Sequence, residues 1–282
     1  MPLATERVGV HARPMNRNAF TMIRCANRQI MAVEARSRQS FARHTHDDYG
    51  IGLIVAGAQR SWSGRGAVEA EAGDIITVNP GEVHDGAPIG AGRAWRMLYL
   101  ARPTVAAIAA DIGEDGKGGA ADFEFTRPVL TGPALVRRFN LAYAAQTDGR
   151  SDAADAAEAL ILLLAGHIGE TRTLTSSPPS GLMRVRTRID DDPAAPHPLE
   201  ELAQDAGGSR FQTLRGFARL TGLTPHAYVV QRRLELARRM IVDGAPLADA
   251  AAGAGFADQS HFNRSFVRRY GATPGAYAEA AR

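Results

Sequence analysis

Cysteine is almost absent: Cys25 is the only one in 282 residues. A lone thiol closes no internal disulfide and forms no CxxC redox pair, so a reducing compartment fits. Long apolar runs are missing too. The longest, 159–165, falls far short of the ~20 residues a membrane-spanning helix needs. The first residues lack the charged-then-apolar pattern of a signal peptide. Nor is there a hydrolytic triad or a phosphate-cradling glycine loop. Aromatic residues make up only 6% of the chain, and the net charge is a modest +3. These absences argue against a membrane protein and a disulfide-stapled secreted module. They leave a cytoplasmic globular chain, long enough for two domains with a core each.

The basic residues are unusual in kind and place. Lys117 is the only lysine, so arginine supplies nearly all the positive charge. Ten arginines against four acids fall between positions 209 and 270. A planar guanidinium suits phosphate and guanine, although an arginine bias in the genome gives the same composition.

This basic region contains a repeat. PLEELAQDAGGSRFQTLRGFARLTGLTPHAY at 198–228 and PLADAAAGAGFADQSHFNRSFVRRYGATPGAY at 246–277 match at an offset of 48, then 49. Leu199/Leu247, Ala203/Ala251, Arg215/Arg264, Phe217/Phe266, Gly222/Gly271, Pro225/Pro274 and Tyr228/Tyr277 pair in register. Each copy reads as helix, glycine turn, helix. In the second copy Leu247, Ala250 and Ala251 form a stripe, and Gly253 and Gly255 carry the turn. Asp258 caps a helix that buries Phe262, Phe266 and Tyr270 at i, i+4, i+8. Gln259, Ser260, Asn263 and Arg264 remain on the outer face, near the helix N-terminus, where base edges are read. Arg268 and Arg269 suit phosphates. In the first copy Ser209-x-x-Gln212 is a capping box. Arg210, Phe211, Leu214 and Arg215 fall on the groove side, with a core role for Phe211 as the alternative. A helix with Pro225 at its first position joins the copies, burying Tyr228, Leu236 and Met240. It is about 28 Å long, near the ~34 Å between successive major-groove faces.

These residues resemble the DNA-binding domain of AraC/XylS-type bacterial transcription regulators. The motifs are Leu199-x-x-Leu202-Ala203, Ser209-Arg210, Thr221-Gly222-x-Thr224-Pro225, Arg233-Leu234, Gly255-Phe256-x-Asp258-Gln259-Ser260-His261-Phe262 and Gly271-x-Thr273-Pro274. The resemblance implies two helix-turn-helix subdomains joined by a helix, each placing one helix in the major groove. Thr213 stands where the family usually buries leucine, and Leu214 where a polar base reader is common.

Before the repeat, residues 20–100 are short apolar segments punctuated by glycine and Asn79-Pro80-Gly81, the pattern of a small β-barrel or jelly roll. His44-Thr45-His46, the strand 49–57, and Gly73-Asp74 leading to Glu82-Val83-His84 resemble a cupin barrel of the effector-binding kind. His44 and His46 share strand parity, as do Glu82 and His84, and as do Trp95 and Tyr99. The expected fold is therefore α+β, a cupin-like barrel followed by helices and then an all-α domain. The barrel is expected to bind a small polar effector through His44, His46, Glu82, His84 and Trp95, with no cofactor. The alternative is a divalent metal on His44, His46 and His84, in a metal-sensing regulator or a metal-dependent cupin enzyme. Asp48, Tyr49, Gly50 and Ile51 occupy the neighbourhood of the first-motif glutamate of enzymatic cupins.

Helices are expected at 104–112, 133–146 and 151–170. Of the last, Leu160, Leu163, Leu164 and His167 are expected to pack on a second copy, since helices after the barrel dimerise in the resembling family; burial wholly within its own domain is the alternative. The domains fall at 1–19 (an arm), 20–172 (effector binding and dimerisation), 173–181 (a linker) and 182–282 (DNA binding). The acidic run at 190–192 reads as solvated. The expected partners are promoter DNA, a small-molecule effector, a second copy of the chain and, if the protein activates, RNA polymerase.

Overall fold

The structure is a computed structural model describing residues 18–112, 123–149, 151, 153–165 and 180–281. Most of the arm, Lys117, His167 and most of the linker lie outside the described residues. Strands β1 (Ala19–Arg24), β2 (Ile30–Ser37), β3 (Phe41–His44), β4 (Tyr49–Ser63), β5 (Gly66–Glu71), β6 (Ile75–Val78), β7 (His84–Leu100) and β8 (Val129–Leu130) form one sheet. Its order is β1-β2-β7-β4-β6-β8, with β3 on β7 and β5 on β4. The long strands β4 and β7 pair antiparallel along most of their length, and register shifts at Ile54/Ala56 and Gly57/Ala58 bend them. At the bend Gly57 has φ +72°, and a Cβ there would lie 2.1 Å from the Gly92 carbonyl oxygen. Only glycine fits.

Side-chain alternation gives this sheet two buried faces. On β7, Leu98 and Leu100 enter a core with Ile30, Ala32, Ile51 and Ile75. The odd residues Trp95, Met97 and Tyr99 point the other way, beside Met31 and Val33 of β2. The first face is covered by α1 (Arg102–Ile112), α2 (Pro133–Thr147) and α3 (Ala153–Leu164). Cys25 is buried in this core, where burial pushes its thiol up to about 11. It is a packing residue.

The helices correct the expected dimer stripe. Leu160, Leu163 and Leu164 are buried within their own domain. The run is apolar nearly all round because its inner face packs on the sheet core while Leu162, 52% exposed, stays outside. An aspartate at Leu164 would therefore disrupt this core. Leu141 of α2 is also exposed.

The C-terminal domain comprises α4 (Ser180–Asp191), α5 (Leu199–Ala206), α6 (Arg210–Thr221), α7 (Pro225–Val242), α8 (Leu247–Gly253), α9 (Gln259–Tyr270) and α10 (Pro274–Ala281). The repeat appears as α5–α6 and α8–α9. Ser209 and Gln212 form the reciprocal capping box, and the Asp258 carboxylate accepts the His261 amide. Thr224 caps α7, with Pro225 in its first turn. Gly222 and Gly271, equivalent in the two copies, both end their helices left-handed, at φ +78° and +74°. Gly253 differs from expectation. It ends α8, packed against Met240, and Gly255 alone carries the positive-φ turn.

Two further departures concern charge. Asp190 is not a solvated helix end. It accepts the Tyr228 hydroxyl at 2.8 Å and pairs with Arg232 at 3.0 Å. On α7 the residues expected inside, Leu236 and Met240, are partly buried, whereas the carboxylate of Glu235 is fully inside.

Arg233 ties the two halves of this domain together. It donates to the carbonyls of Pro193, Ala194, Ala195 and Gly255 at 2.7–3.3 Å. Replacing it leaves partly buried acceptors without a donor. Arg233→Met should lower unfolding free energy by about 1–3 kcal/mol, read by urea denaturation of the full chain. Unchanged stability would mean water takes over those carbonyls.

Candidate functional site

Two surfaces carry the chemistry. On the outer face of the C-terminal domain, the reader residues are exposed as expected: Arg210, Phe211 and Arg215 on α6, and Gln259, Ser260, Asn263, Arg264 and Arg268 on α9. Phe211 is 65% exposed, which settles it as an outward residue, and Arg215 stacks over its ring at 5.4 Å. Leu214 is half-buried, while Thr213 is buried, its hydroxyl donating to the Ser209 carbonyl. A threonine thus fills the usual leucine position by satisfying its own hydroxyl.

The second surface is a cavity between the sheet and the C-terminal domain. Its sheet side carries His44, His46, Glu82, His84 and Trp95, all the expected effector residues. His44 and His84 are register partners on β3 and β7, and His46 follows β3. The three rings meet with centroids 4.3–5.1 Å apart, and Tyr99 lies 5.0 Å from His46. One ligand nitrogen from each histidine lies within 4.8 Å of the others. Burial lowers the basicity of all three, and the charge of Arg269 lowers it further; His84 falls to about 4. The rings are therefore neutral at neutral pH. Glu82 lines the same cavity without joining the cluster. Its carboxylate pairs with Arg65 at 2.8 Å and accepts the Asn79 amide at 3.0 Å.

The rest of the lining is mostly apolar, with Phe20, Met22, Phe41, Val78 and Met97 among it. Besides Arg65, the buried Arg93 and Arg269 interrupt it, neither expected as a cavity residue. Arg93 is 2% exposed and lies 4.8 Å over the Trp95 ring, its Nη2 donating to the Gly86 carbonyl. Its Nε has no partner among the described residues, and burial lowers its pKa to about 10. Arg269, expected at a DNA phosphate, instead turns inward from α9 and is 6% exposed, with Nε and Nη1 unpartnered among the described residues. Both were legible by periodicity. Arg93 shares parity with Trp95, Met97 and Tyr99 on β7, and Arg269 follows Phe262 and Phe266 at i+7 and i+3.

The C-terminal domain forms the cavity roof with Glu235, Arg238, Arg269, Tyr270 and Tyr277. Charged contacts hold it there: Asp47 pairs with Arg232 and Arg239, and Asp48 with Arg238 at 3.3 Å. Val83 enters the core of the first helix-turn-helix unit, while Met22 and Met31 pack on that of the second. The paired cap glycines meet the sheet domain as well. A Cβ on Gly222 would approach Val83 to 2.9 Å, and one on Gly271 would approach Phe20 to 2.6 Å.

A cavity in the sheet domain roofed by a two-unit helix-turn-helix domain is the layout of an effector-binding transcription regulator. The comparisons agree. The AraC-like ligand binding domain matches residues 29–164, and a helix-turn-helix domain matches residues 202–280. A similar relative is the uncharacterized HTH-type transcriptional regulator YbfI of Bacillus subtilis, 27% identical over 79% of this chain and 82% of its own length. The RCS-specific HTH-type transcriptional activator RclR of Escherichia coli is 36% identical, over 30% of each chain. Among solved structures, the unsaturated fatty acid-bound form of ToxT from Vibrio cholerae shares the fold. Its TM-score is 0.56 at 11% identity, covering 95% of this chain and 97% of that one. The chain belongs to the AraC family of transcription regulators, with an N-terminal ligand-binding domain and a C-terminal DNA-binding domain.

The exposed face of α9 yields a direct test. Arg264→Ala should cost about 1–3 kcal/mol at the specific site and relax preference at one base position, with Arg215→Ala doing the same through α6. Arg268→Ala should weaken binding evenly across sequences and reduce its salt dependence. Operator selection followed by fluorescence anisotropy reads all three. An Arg264→Ala protein with unchanged affinity and base preference would show that this face does not enter the groove.

Proposed function

We propose that this regulator responds to a small organic acid with an apolar body, bound in the cavity under α9. One observation carries the reading: Arg269, on α9, lines a mostly apolar cavity and has two buried side-chain N–H groups without partners among the described residues. Buried donors left unmade are costly, and an anion satisfies them. The polar character expected of the effector belongs to the histidine end, and the apolar lining takes the remainder. ToxT, whose fold this chain shares, has been solved with an unsaturated fatty acid and with a substituted butenoic acid, ligands of the same chemical type. The ligand acts by changing how the two helix-turn-helix units are presented to the DNA. The protein works as a sensor in the cytoplasm rather than as an enzyme, engaging promoter DNA and, as an activator, RNA polymerase.

The test is a panel of carboxylic acids scored by unfolding free energy and DNA affinity. An acid at a hundredfold its Kd stabilises the native state by about 2.7 kcal/mol. Arg269→Gln should lose that stabilisation for acids while keeping its fold. Equal stabilisation of wild type and Arg269→Gln by every acid would overturn the anion reading.

The chain acts as a homodimer in this reading, with Leu141 of α2 and Leu162 of α3 as the large apolar residues exposed for contact. Leu162→Asp should then sediment as a folded monomer, because the position is outside the core. A wild-type protein that is monomeric at high micromolar concentration would remove the proposal.

A further inference from the structure

The histidine cluster has a donor pattern of its own. His44 Nδ1 lies 2.7 Å from the Ala42 carbonyl oxygen, and His84 Nδ1 lies 3.0 Å from that of Glu82. A carbonyl only accepts, so each Nδ1 carries the ring proton. In a neutral ring the Nε2 atom is then a bare lone pair. Backbone carbonyls fixing the far nitrogen are the usual outer support of metal-bound imidazoles. One nitrogen from each of the three rings lies within 4.8 Å of the others, and imidazole lone pairs gathered this closely suit one Lewis acid.

We propose that His44, His46 and His84 hold one divalent transition-metal ion, with its open coordination positions on the side of Arg269. Three imidazoles suit Zn²⁺, Ni²⁺, Co²⁺ or Fe²⁺. Among the described residues no carboxylate joins the cluster, and Glu82 is committed to Arg65. The protein therefore supplies three ligands and leaves the remainder to water or to an added anion. A carboxylate entering the same cavity would meet both the ion and the Arg269 guanidinium. The metal counters the lone pairs and the anion counters both cations. This last step rests on the acid-effector reading; the ion itself does not.

Co²⁺ is the probe, because its visible d–d bands report ligand number and type. Metal-free full-length protein titrated with micromolar Co²⁺ should develop intense four- or five-coordinate bands that saturate at one ion per chain. His84→Gln should weaken the binding by at least roughly tenfold, and His44→Gln serves if that variant fails to fold by circular dichroism. Octanoate should then shift the bands in wild type but far less in Arg269→Gln, which still binds Co²⁺. Absence of saturable bands, or bands that survive both histidine variants, overturns the metal site. Bands that appear but ignore octanoate overturn the open face beside Arg269. Octanoate stabilising the chelator-treated protein as well as the metal-loaded one separates the two readings: the cavity then binds acids without the ion.

Discussion

The carboxylate of Glu235 sits in the middle of α7 and is 4% exposed. Burial alone would push its pKa up, but the Arg238 guanidinium beside it, the charge of Arg269 and the Tyr270 hydroxyl hold it low, so it stays ionised. Such a charge is tolerable only when it is paired and hydrogen-bonded. Arg238 also reaches Asp48 of the sheet domain and the Tyr277 hydroxyl of α10. One buried carboxylate thus fixes α7 against α9 and α10, and through its arginine fixes all three over the sheet domain. The roof of the effector cavity exists because these partners converge.

That placement decides what an effector can do. A ligand shifts an equilibrium only by its differential affinity for the two states. In a barrel closed by its own strands, that difference has to reach the DNA-binding domain through the linker. Here Arg269 and Tyr270 belong to the cavity and to a recognition helix at once. An occupant that meets Arg269 would favour whichever arrangement keeps α9 over the cavity. The asymmetric docking adds to this. The first unit rests on Val83 beyond the cavity, whereas the second supplies the cavity roof. The second unit therefore contributes the helix-turn-helix residues nearest a cavity occupant.

Much of this was legible in the residues. The repeat, the caps at Ser209, Thr224 and Asp258, and the convergence of His44, His46 and His84 follow from local patterns of period 3.6 or 2 and from turn chemistry. What was not legible belongs to packing between domains. Nothing local tells that Asp47 and Asp48 meet arginines some 190 residues away in the chain, or that Glu82 is taken by Arg65. The dimer stripe failed for a related reason. A helix that is apolar nearly all round signals burial without naming what buries it, and the chain's own core claimed Leu160, Leu163 and Leu164. At Arg269 position outweighs charge. Its spacing from Phe262 and Phe266 already put it on the inner face.

Helix α9 shows how two functions are kept on one short element. Its 12 residues span about 18 Å at 1.5 Å per residue, and helical period divides them cleanly. Asn263, Arg264 and Arg268 are exposed, while Phe262, Phe266 and Arg269 are buried. Adjacent arginines, 268 and 269, fall on opposite sides because successive residues are 100° apart, so one charge can meet a phosphate while its neighbour faces the cavity. The helix is rigid, and a shift of the inner face to accommodate an occupant moves the outer face by a comparable amount. Base readout requires side-chain geometry at hydrogen-bond precision, so a displacement small on the scale of the cavity is large on the scale of recognition. Sensing through this helix would need no long pathway between sites: the same backbone segment lines the cavity and presents Asn263, Arg264 and Arg268 on its exposed face.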